Sequence, residues 1–328
     1  MEYSNVYSYF RNKSILITGA SGFVGRSVVD SFLSYAEFAT ASIKLTCVSR
    51  EVHRTSSMFK GHQNLQFLQW DLRHPYSGGK LDIDFVIHCG DGAFENSELE
   101  IECGEFCTPT TNLLDALGNK RKLRLIYLSS GSIYQANDTS PMTLSETSLM
   151  KSSSQATNYQ RTKIDTEKLL ASRCTNNNAD YVLARLFSFI GPHLPRSSHF
   201  AIGNFIQDCI DRKAIVILGN GLQVRSYMHS VDLGNWILEI LARGASGESY
   251  NIGGDEPISM YDLANRMQVL LDIEHAIEIH DSKRESFSGS DYYVPSVEKA
   301  KRDLGLRVSM GLDKSITSTI NEIISTEG

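Results

Sequence analysis

The unbroken apolar run Ser14-Ile15-Leu16-Ile17-Thr18 ends directly on Gly19-Ala20-Ser21-Gly22-Phe23-Val24-Gly25, and no other stretch restricts the fold as much. A β-branched run without alternation fits a strand buried on both faces of a parallel sheet. Val24, Val28, Val29, Phe32 and Leu33 then recur at helical spacing. The stretch therefore predicts strand, tight turn and helix. The first N–H groups of a helix lack intrahelical partners and carry the positive end of the dipole, so this turn is predicted to hold a pyrophosphate. The glycines let backbone approach the ligand and let the helix lie close on the strand.

Further strand-like runs follow at intervals that leave room for crossover helices: Ile43–Val48, Leu65–Trp70, Asp84–His88, Arg124–Leu128 and Tyr181–Phe187. Strands alternating with helical patterns predict an α/β fold, a doubly wound parallel sheet. With 328 residues the chain exceeds the ~250–300 at which single cores stop growing, so a second domain is expected. The boundary is placed near residue 190, giving a dinucleotide-binding domain over 1–190 and a mainly substrate-binding one over 191–328, with later strands returning to the first. The second strand closes on Ser49-Arg50. At this place a carboxylate selects the free ribose hydroxyls of NAD, whereas an arginine accommodates the 2′-phosphate of NADP. Ser49 and Arg50, with Arg54 nearby, favour NADP; Glu51 leaves NAD open.

Three sites match Tyr-x-x-x-Lys: Tyr9/Lys13, Tyr76/Lys80 and Tyr159/Lys163. The first precedes the first strand and the second lies in a Pro/Gly loop. Only Tyr159 and Lys163 open a helical pattern, where positions i and i+4 share a face. The strand Arg124–Leu128 runs into Ser129-Ser130-Gly131-Ser132-Ile133-Tyr134.

These motifs resemble the extended short-chain dehydrogenase/reductases of the NAD-dependent epimerase/dehydratase type, which modify nucleotide sugars. The resemblance runs from Lys13 to about Leu306 and implies a Rossmann sheet with a smaller C-terminal substrate domain. It implies Ser130, Tyr159 and Lys163 as the catalytic group, and cofactor contacts from Gly19, Ser21, Gly22, Phe23, Val24, Gly25, Ser49, Arg50, Asp71, Leu72, Tyr159 and Lys163. For a nucleotide-diphosphate sugar it implies Ser132, Ser188, Asn204 and Arg225, the last as a phosphate clamp through a planar guanidinium. A homodimer is implied in the same way. The chain departs from the pattern at Gly90-Asp91, Phe106 and Ser188. Gly131 and Ser132 stand where 4,6-dehydratases carry Asp-Glu, and UDP-glucuronate decarboxylases carry a Glu in the same segment. The resemblance thus points to C4 chemistry, a 4-keto reductase or a 4-epimerase, with a 4,6-dehydratase or a non-catalytic NAD(P)-binding sensor or scaffold as alternatives.

The chemistry explains the residue types. A tyrosine hydroxyl titrates near 10 in water, so its use as a base near neutrality means lowering that value by about 3, roughly 4 kcal/mol. A neighbouring ammonium in a desolvated pocket acts in that direction.

Composition excludes other classes. No apolar run approaches the ~20 residues of a membrane span, and a net charge of −6 speaks against a nucleic-acid surface. The six cysteines form no Cys-x-x-Cys pair, so neither a metal site nor disulfides are expected, and His88 reads as a buried structural residue. The amino terminus lacks a basic region followed by an apolar core, and a cytoplasmic location is expected.

Overall fold

The computed structural model describes residues 3–35, 41–62, 64–90, 107–118, 123–135, 143–148, 150–152, 156–177, 179–197, 200–272, 276–280 and 291–327. Asp91, Cys103, Phe106 and the acidic stretch 95–105 lie outside them. In chain order the elements are β1 (Ser14–Thr18), α1 (Phe23–Ser34), β2 (Lys44–Ser49), α2 (Val52–Met58), β3 (Leu65–Gln69), β4 (Phe85–His88), α3 (Thr108–Leu117), β5 (Arg124–Ser130), α4 (Asn158–Asn177) and β6 (Asp180–Leu186). They continue as β7 (Ser188–Ile190), α5 (Ala201–Ile210), β8 (Ile215–Leu218), β9 (Val224–Arg225), β10 (Tyr227–His229), α6 (Ser230–Arg243), β11 (Ser249–Ile252), β12 (Ile258–Ser259), α7 (Met260–Leu271), β13 (Ile277–His280), β14 (Tyr292–Tyr293), α8 (Glu298–Leu304) and α9 (Leu312–Glu327).

Two compact units interleave along the chain: residues 1–133, 149–186 and 234–250 form the first, and 134–148, 187–233 and 251–328 the second. In the first, the strands are ordered β3-β2-β1-β4-β5-β6-β11, and each neighbouring pair from β3 to β6 is parallel. This is the doubly wound α/β sheet with flanking helices that the alternating pattern predicts. Ile15, Leu16, Ile17, Val86, Ile87, Leu125 and Ile126 are fully buried, which is why these strands read as continuous apolar runs. Each such side chain contributes about 1.5–3 kcal/mol by leaving water.

The sequence places the end of β5 at Leu128, whereas pairing continues through Ser129↔Arg185 and Ser130↔Leu186. The two serines keep the strand because their backbone groups have a partner in β6, although their side chains carry no strand preference. β5 thus delivers Ser130 at the carboxyl end of the sheet. In the second unit β7 pairs with β10, β8 with β13, and β9 lies between β12 and β14. The stretch 135–158, which reads as a loop from sequence, is anchored there at Leu144, which exchanges backbone hydrogen bonds with Val294 and Ser296, and at Glu146, whose carboxylate accepts the Asn251 N–H at 2.9 Å.

Candidate functional site

The turn after β1 is shaped by two glycines. Gly19 has φ of +66°, a conformation that L side chains rarely adopt. At Gly25 a Cβ would stand 2.3 Å from the Gly19 carbonyl oxygen, so only glycine lets α1 start this close to β1. Gly22 caps α1 without a side-chain hydrogen bond, and no acid occupies the first turn. Ser21 and Gly22 are exposed, Phe23 and Val24 half-buried. The helix N-terminus is thereby open to an anion.

On the other side of this turn, Thr18 Oγ1 accepts hydrogen bonds from the Cys89 and Gly90 N–H groups at 3.1 and 3.0 Å. Its proton is left for His88 Nδ1 at 2.8 Å, and the Nε2–H of His88 then donates to Thr110 Oγ1 at 2.9 Å. His88 is fully buried and ties β4 to β1 and α3, the structural role expected of it.

A cavity of about 320 Å³ opens beside the turn. It is lined by Gly19, Ser21 and Gly22 from the turn, by Ser49 and Arg50 from the end of β2, and by Asp71 and Leu72 after β3. These expected cofactor residues are therefore brought together. Arg54 and Glu51 also line it and form an exposed ion pair at 3.5 Å. Ser49 Oγ accepts from Thr55 Oγ1 at 2.7 Å and from the Glu51 N–H at 3.1 Å, which fixes the path of the chain out of β2. Val48, Trp70, Arg73, Cys89, Gly90 and Pro109 also line it and were missed as site residues from sequence. Arg73 grips the Asp71 carboxylate and holds it well below the usual carboxylate range, at about 2. The signal available was an arginine two residues beyond the aspartate.

Ser130 and Lys163 are 7% and 5% exposed, on β5 and α4. α4 packs on β5, on β6 and on the short 3-10 turn Gly131–Ile133. Lys163 Nζ donates to the Leu128 carbonyl at 2.8 Å and lies 5.1 Å from the Tyr127 ring centre and 5.5 Å from that of Tyr159. Tyr159 is half-buried. Ser130 Oγ donates to Ser132 Oγ at 3.0 Å and accepts the Ser132 N–H at 3.2 Å, a local serine turn. The helix that sets Tyr159 and Lys163 one turn apart and the strand end carrying Ser130 thus form one group. Tyr9 and Tyr76 have other surroundings: Tyr9 is an exposed residue of the 3-10 segment Tyr3–Phe10, and the Tyr76 ring packs on Trp70 at 4.9 Å.

Ser188, Asn204 and Arg225 belong to the second unit. Ser188 starts β7 opposite Tyr227, and Asn204 is half-buried on α5. Arg225 Nη1 donates to the carbonyls of Val224 and Asp291 at 2.8 and 2.7 Å, and its guanidinium lies 5.5 Å from the Tyr293 ring centre. Among the described residues no group of three or more His, Cys, Asp or Glu could hold a metal ion.

Residues 15–253 match the model of the NAD dependent epimerase/dehydratase family. The chain belongs to this family. Curated relatives include UDP-glucuronic acid decarboxylase 1 of Xenopus tropicalis, 22% identical over 94% of this chain and 72% of the relative. The dTDP-D-glucose 4,6-dehydratase of Bos taurus is 25% identical over 94% of this chain and 88% of the relative. Among solved structures, a dTDP-glucose 4,6-dehydratase from Bacillus anthracis in complex with NAD superposes with a TM-score of 0.78 at 18% identity, covering 96% of this chain and 97% of that one. A UDP-glucuronic acid 4-epimerase from Bacillus cereus, in complex with UDP-glucuronic acid and NAD, gives 0.77 at 19% identity over 95% and 99%. The family comprises NAD-dependent nucleotide-sugar epimerases, dehydratases and decarboxylases. No helix among the described residues is long and apolar enough to cross a membrane.

The features of the cavity suit the phosphate-bearing end of a dinucleotide, with an uncapped helix start, a backbone cradle that a Cβ would fill, and arginines at the end of β2; Ser130, Tyr159 and Lys163 are not part of its lining.

Proposed function

We propose that this family member acts at C4 of a nucleotide-diphosphate sugar and is a 4-keto reductase linked to NADP, with a 4-epimerase as the second reading. The observation that carries it is the placement of the Lys163 ammonium, held by the Leu128 carbonyl at 2.8 Å and 5.5 Å from the Tyr159 ring centre, beside the strand end that bears Ser130. When bound, the nicotinamide cofactor supplies hydride exchange at the sugar carbon. Gly19, Ser21 and Gly22 would hold its phosphates, and Arg50 and Arg54 its 2′-phosphate. In the reductive direction the Tyr159 hydroxyl gives its proton to the C4 oxygen as that carbon gains hydride. Ser130 stabilises the charge developing on the same oxygen by a hydrogen bond, and Lys163 stabilises the phenolate left behind.

The turn after β5 separates the reactions known in the family. Gly131 and Ser132 offer no acid or base for eliminating water from a sugar, which speaks against a 4,6-dehydratase. The epimerase reading is supported by the likeness to 4-epimerases. A non-catalytic sensor would not need the Tyr159, Lys163 and Ser130 grouping.

The deciding experiment follows reduced nicotinamide absorbance while a 4-keto nucleotide sugar and NADPH are added to the purified protein. Stoichiometric consumption of NADPH is expected. Purification with tightly bound NAD, and interconversion of two 4-hydroxy sugars without added cofactor, would overturn the reductase reading in favour of the epimerase.

A further inference from the structure

We propose that Gln160 is a positioning residue for the acid–base tyrosine: with Thr157 it closes the first turn of α4 and so fixes the backbone that carries Tyr159. It adds a residue to the group proposed above and rests on Tyr159 being a member of that group.

Thr157 stands directly before α4, and its carbonyl accepts the Arg161 N–H at 2.8 Å, the first bond of the helix. The two residues then bond each other in both directions. The Gln160 N–H donates to Thr157 Oγ1 at 3.3 Å, and the Thr157 N–H donates to Gln160 Oε1 at 2.9 Å. This reciprocal pair satisfies two donors at the start of the helix, where the first N–H groups have no intrahelical partner. Tyr159 is the second residue of the helix and lies between the two partners in sequence. Closing the pair therefore fixes its backbone.

Apolar packing does not do this work. A hydrophobic staple would need two large apolar residues at the places held by Ala156 and Arg161. The inward face of this half of α4 is mostly polar: Gln160, Thr162, Lys163, Thr166 and Glu167 are each 8% exposed or less, and apolar burial resumes at Leu170 and Cys174. Hydrogen bonds seat the turn instead. The bond from Lys163 Nζ to the Leu128 carbonyl fixes the ammonium, and the Thr157–Gln160 pair fixes the tyrosine one turn earlier. Helix ends fray when their caps are lost. Without the pair Tyr159 leaves its place while Lys163 keeps its own, and the 5.5 Å between ring and ammonium is no longer held.

The test labels the whole chain with fluorotyrosine and follows the Tyr159 fluorine resonance, assigned by its absence in Tyr159→Phe, in the wild type, Thr157→Ala, Gln160→Met and Gln160→Glu. Methionine keeps the volume of the buried glutamine and loses the acceptor. Glutamate keeps the acceptor, and its charge suits a helix start. Thr157 is exposed, so Thr157→Ala breaks the same pair without opening the core. The Tyr159 resonance is expected to move and broaden in Thr157→Ala and Gln160→Met and to return in Gln160→Glu, while the other tyrosine resonances stay in place and report that each variant is folded. Turnover of a 4-keto nucleotide sugar with NADPH should fall about tenfold in kcat in the same two variants and recover in Gln160→Glu, with KM and the dissociation constant of NADP+ within about twofold throughout. A Tyr159 resonance that Gln160→Met leaves unchanged overturns the proposal. So does a change that Gln160→Glu fails to reverse, since packing and not the hydrogen bond would then hold the turn. Failure of the underlying reading is separately visible: it is turnover by Tyr159→Phe at the wild-type rate, whatever the resonance does.

Discussion

The Lys163 ammonium stands 5.5 Å from the centre of the Tyr159 ring, and its direct bond runs to the Leu128 carbonyl at 2.8 Å. A lysine 5% exposed is costly unless hydrogen-bonded, and β5 supplies that bond. The strand therefore sets where the positive charge sits, and the helical repeat brings the tyrosine one turn away to the same face.

Tyr159→Phe is expected to lower turnover by at least about a hundredfold, in the range lost with a positioned acid–base group, with cofactor affinity nearly intact. Lys163→Ala is expected to lose activity and cofactor affinity together. Tyr76→Phe serves as the control, because the Tyr76 ring packs on Trp70 and a phenylalanine keeps that contact, so its kinetics should match wild type. Inactivation by Tyr76→Phe with Tyr159→Phe still active would place the chemistry elsewhere.

The ribose end of the cavity gives the second expectation. Arg50 closes β2 with an exposed side chain, so Arg50→Ala should weaken NADP(H) selectively and leave NAD(H) within about twofold, since only the phosphorylated ribose presents the dianion. Titrations of both cofactors check this; an equal loss for the two, or none, contradicts it.

The first unit was legible because its signals are local. Buried parallel strands write themselves as unbroken apolar runs, and the glycines at 19 and 25 are imposed by a positive φ and a 2.3 Å approach. Tyr159 stands apart from the other two Tyr-x-x-x-Lys matches because its neighbours are helical, and α4 starts beside it at Asn158. Other features depend on partners far along the chain. The extension of β5 to Ser130 comes from pairing with β6, and Leu144 finds its bonding partners about 150 residues later, at Val294 and Ser296. The Arg73–Asp71 grip was within reach, yet an arginine after a strand is usually a solvated one. For Arg225 the residue type indicated a cation, but its hydrogen bond to the Asp291 carbonyl needed the fold.

A third expectation concerns stability of the first unit. Arg185 on β6 makes two hydrogen bonds to Glu167 on α4, at 3.0 and 2.7 Å, and both side chains are 7% exposed. Breaking a buried pair leaves an uncompensated charge, so Glu167→Ala should cost about 3–5 kcal/mol. Replacing both partners with apolar residues should cost much less than this single change. Denaturant unfolding measures it, and a loss below about 1 kcal/mol for Glu167→Ala would show that water reaches the guanidinium.

The second unit carries a buried histidine whose titration should be visible in stability. His229, on β10, is 2% exposed, and its Nδ1 accepts the Val231 N–H at 3.3 Å. Its Nε2 has no hydrogen-bond partner among the described residues. Burial lowers its pKa below the ordinary 6.5, and the nearby Asp232 opposes this only in part. The Asp232 carboxylate is already engaged by the Ser309 and Met310 N–H groups and the Ser309 hydroxyl. As pH falls through 6.5, the unfolded chain takes up a proton that the folded one refuses, so stability is lost on acidification, by at most about 1.4 kcal/mol per pH unit for one group. His229→Gln removes this titration. Its unfolding free energy should fall less than that of wild type between pH 7.5 and 5.5, whatever its starting value. Equal losses in the two proteins would mean that the imidazole is protonated inside the fold and that a partner for Nε2 exists.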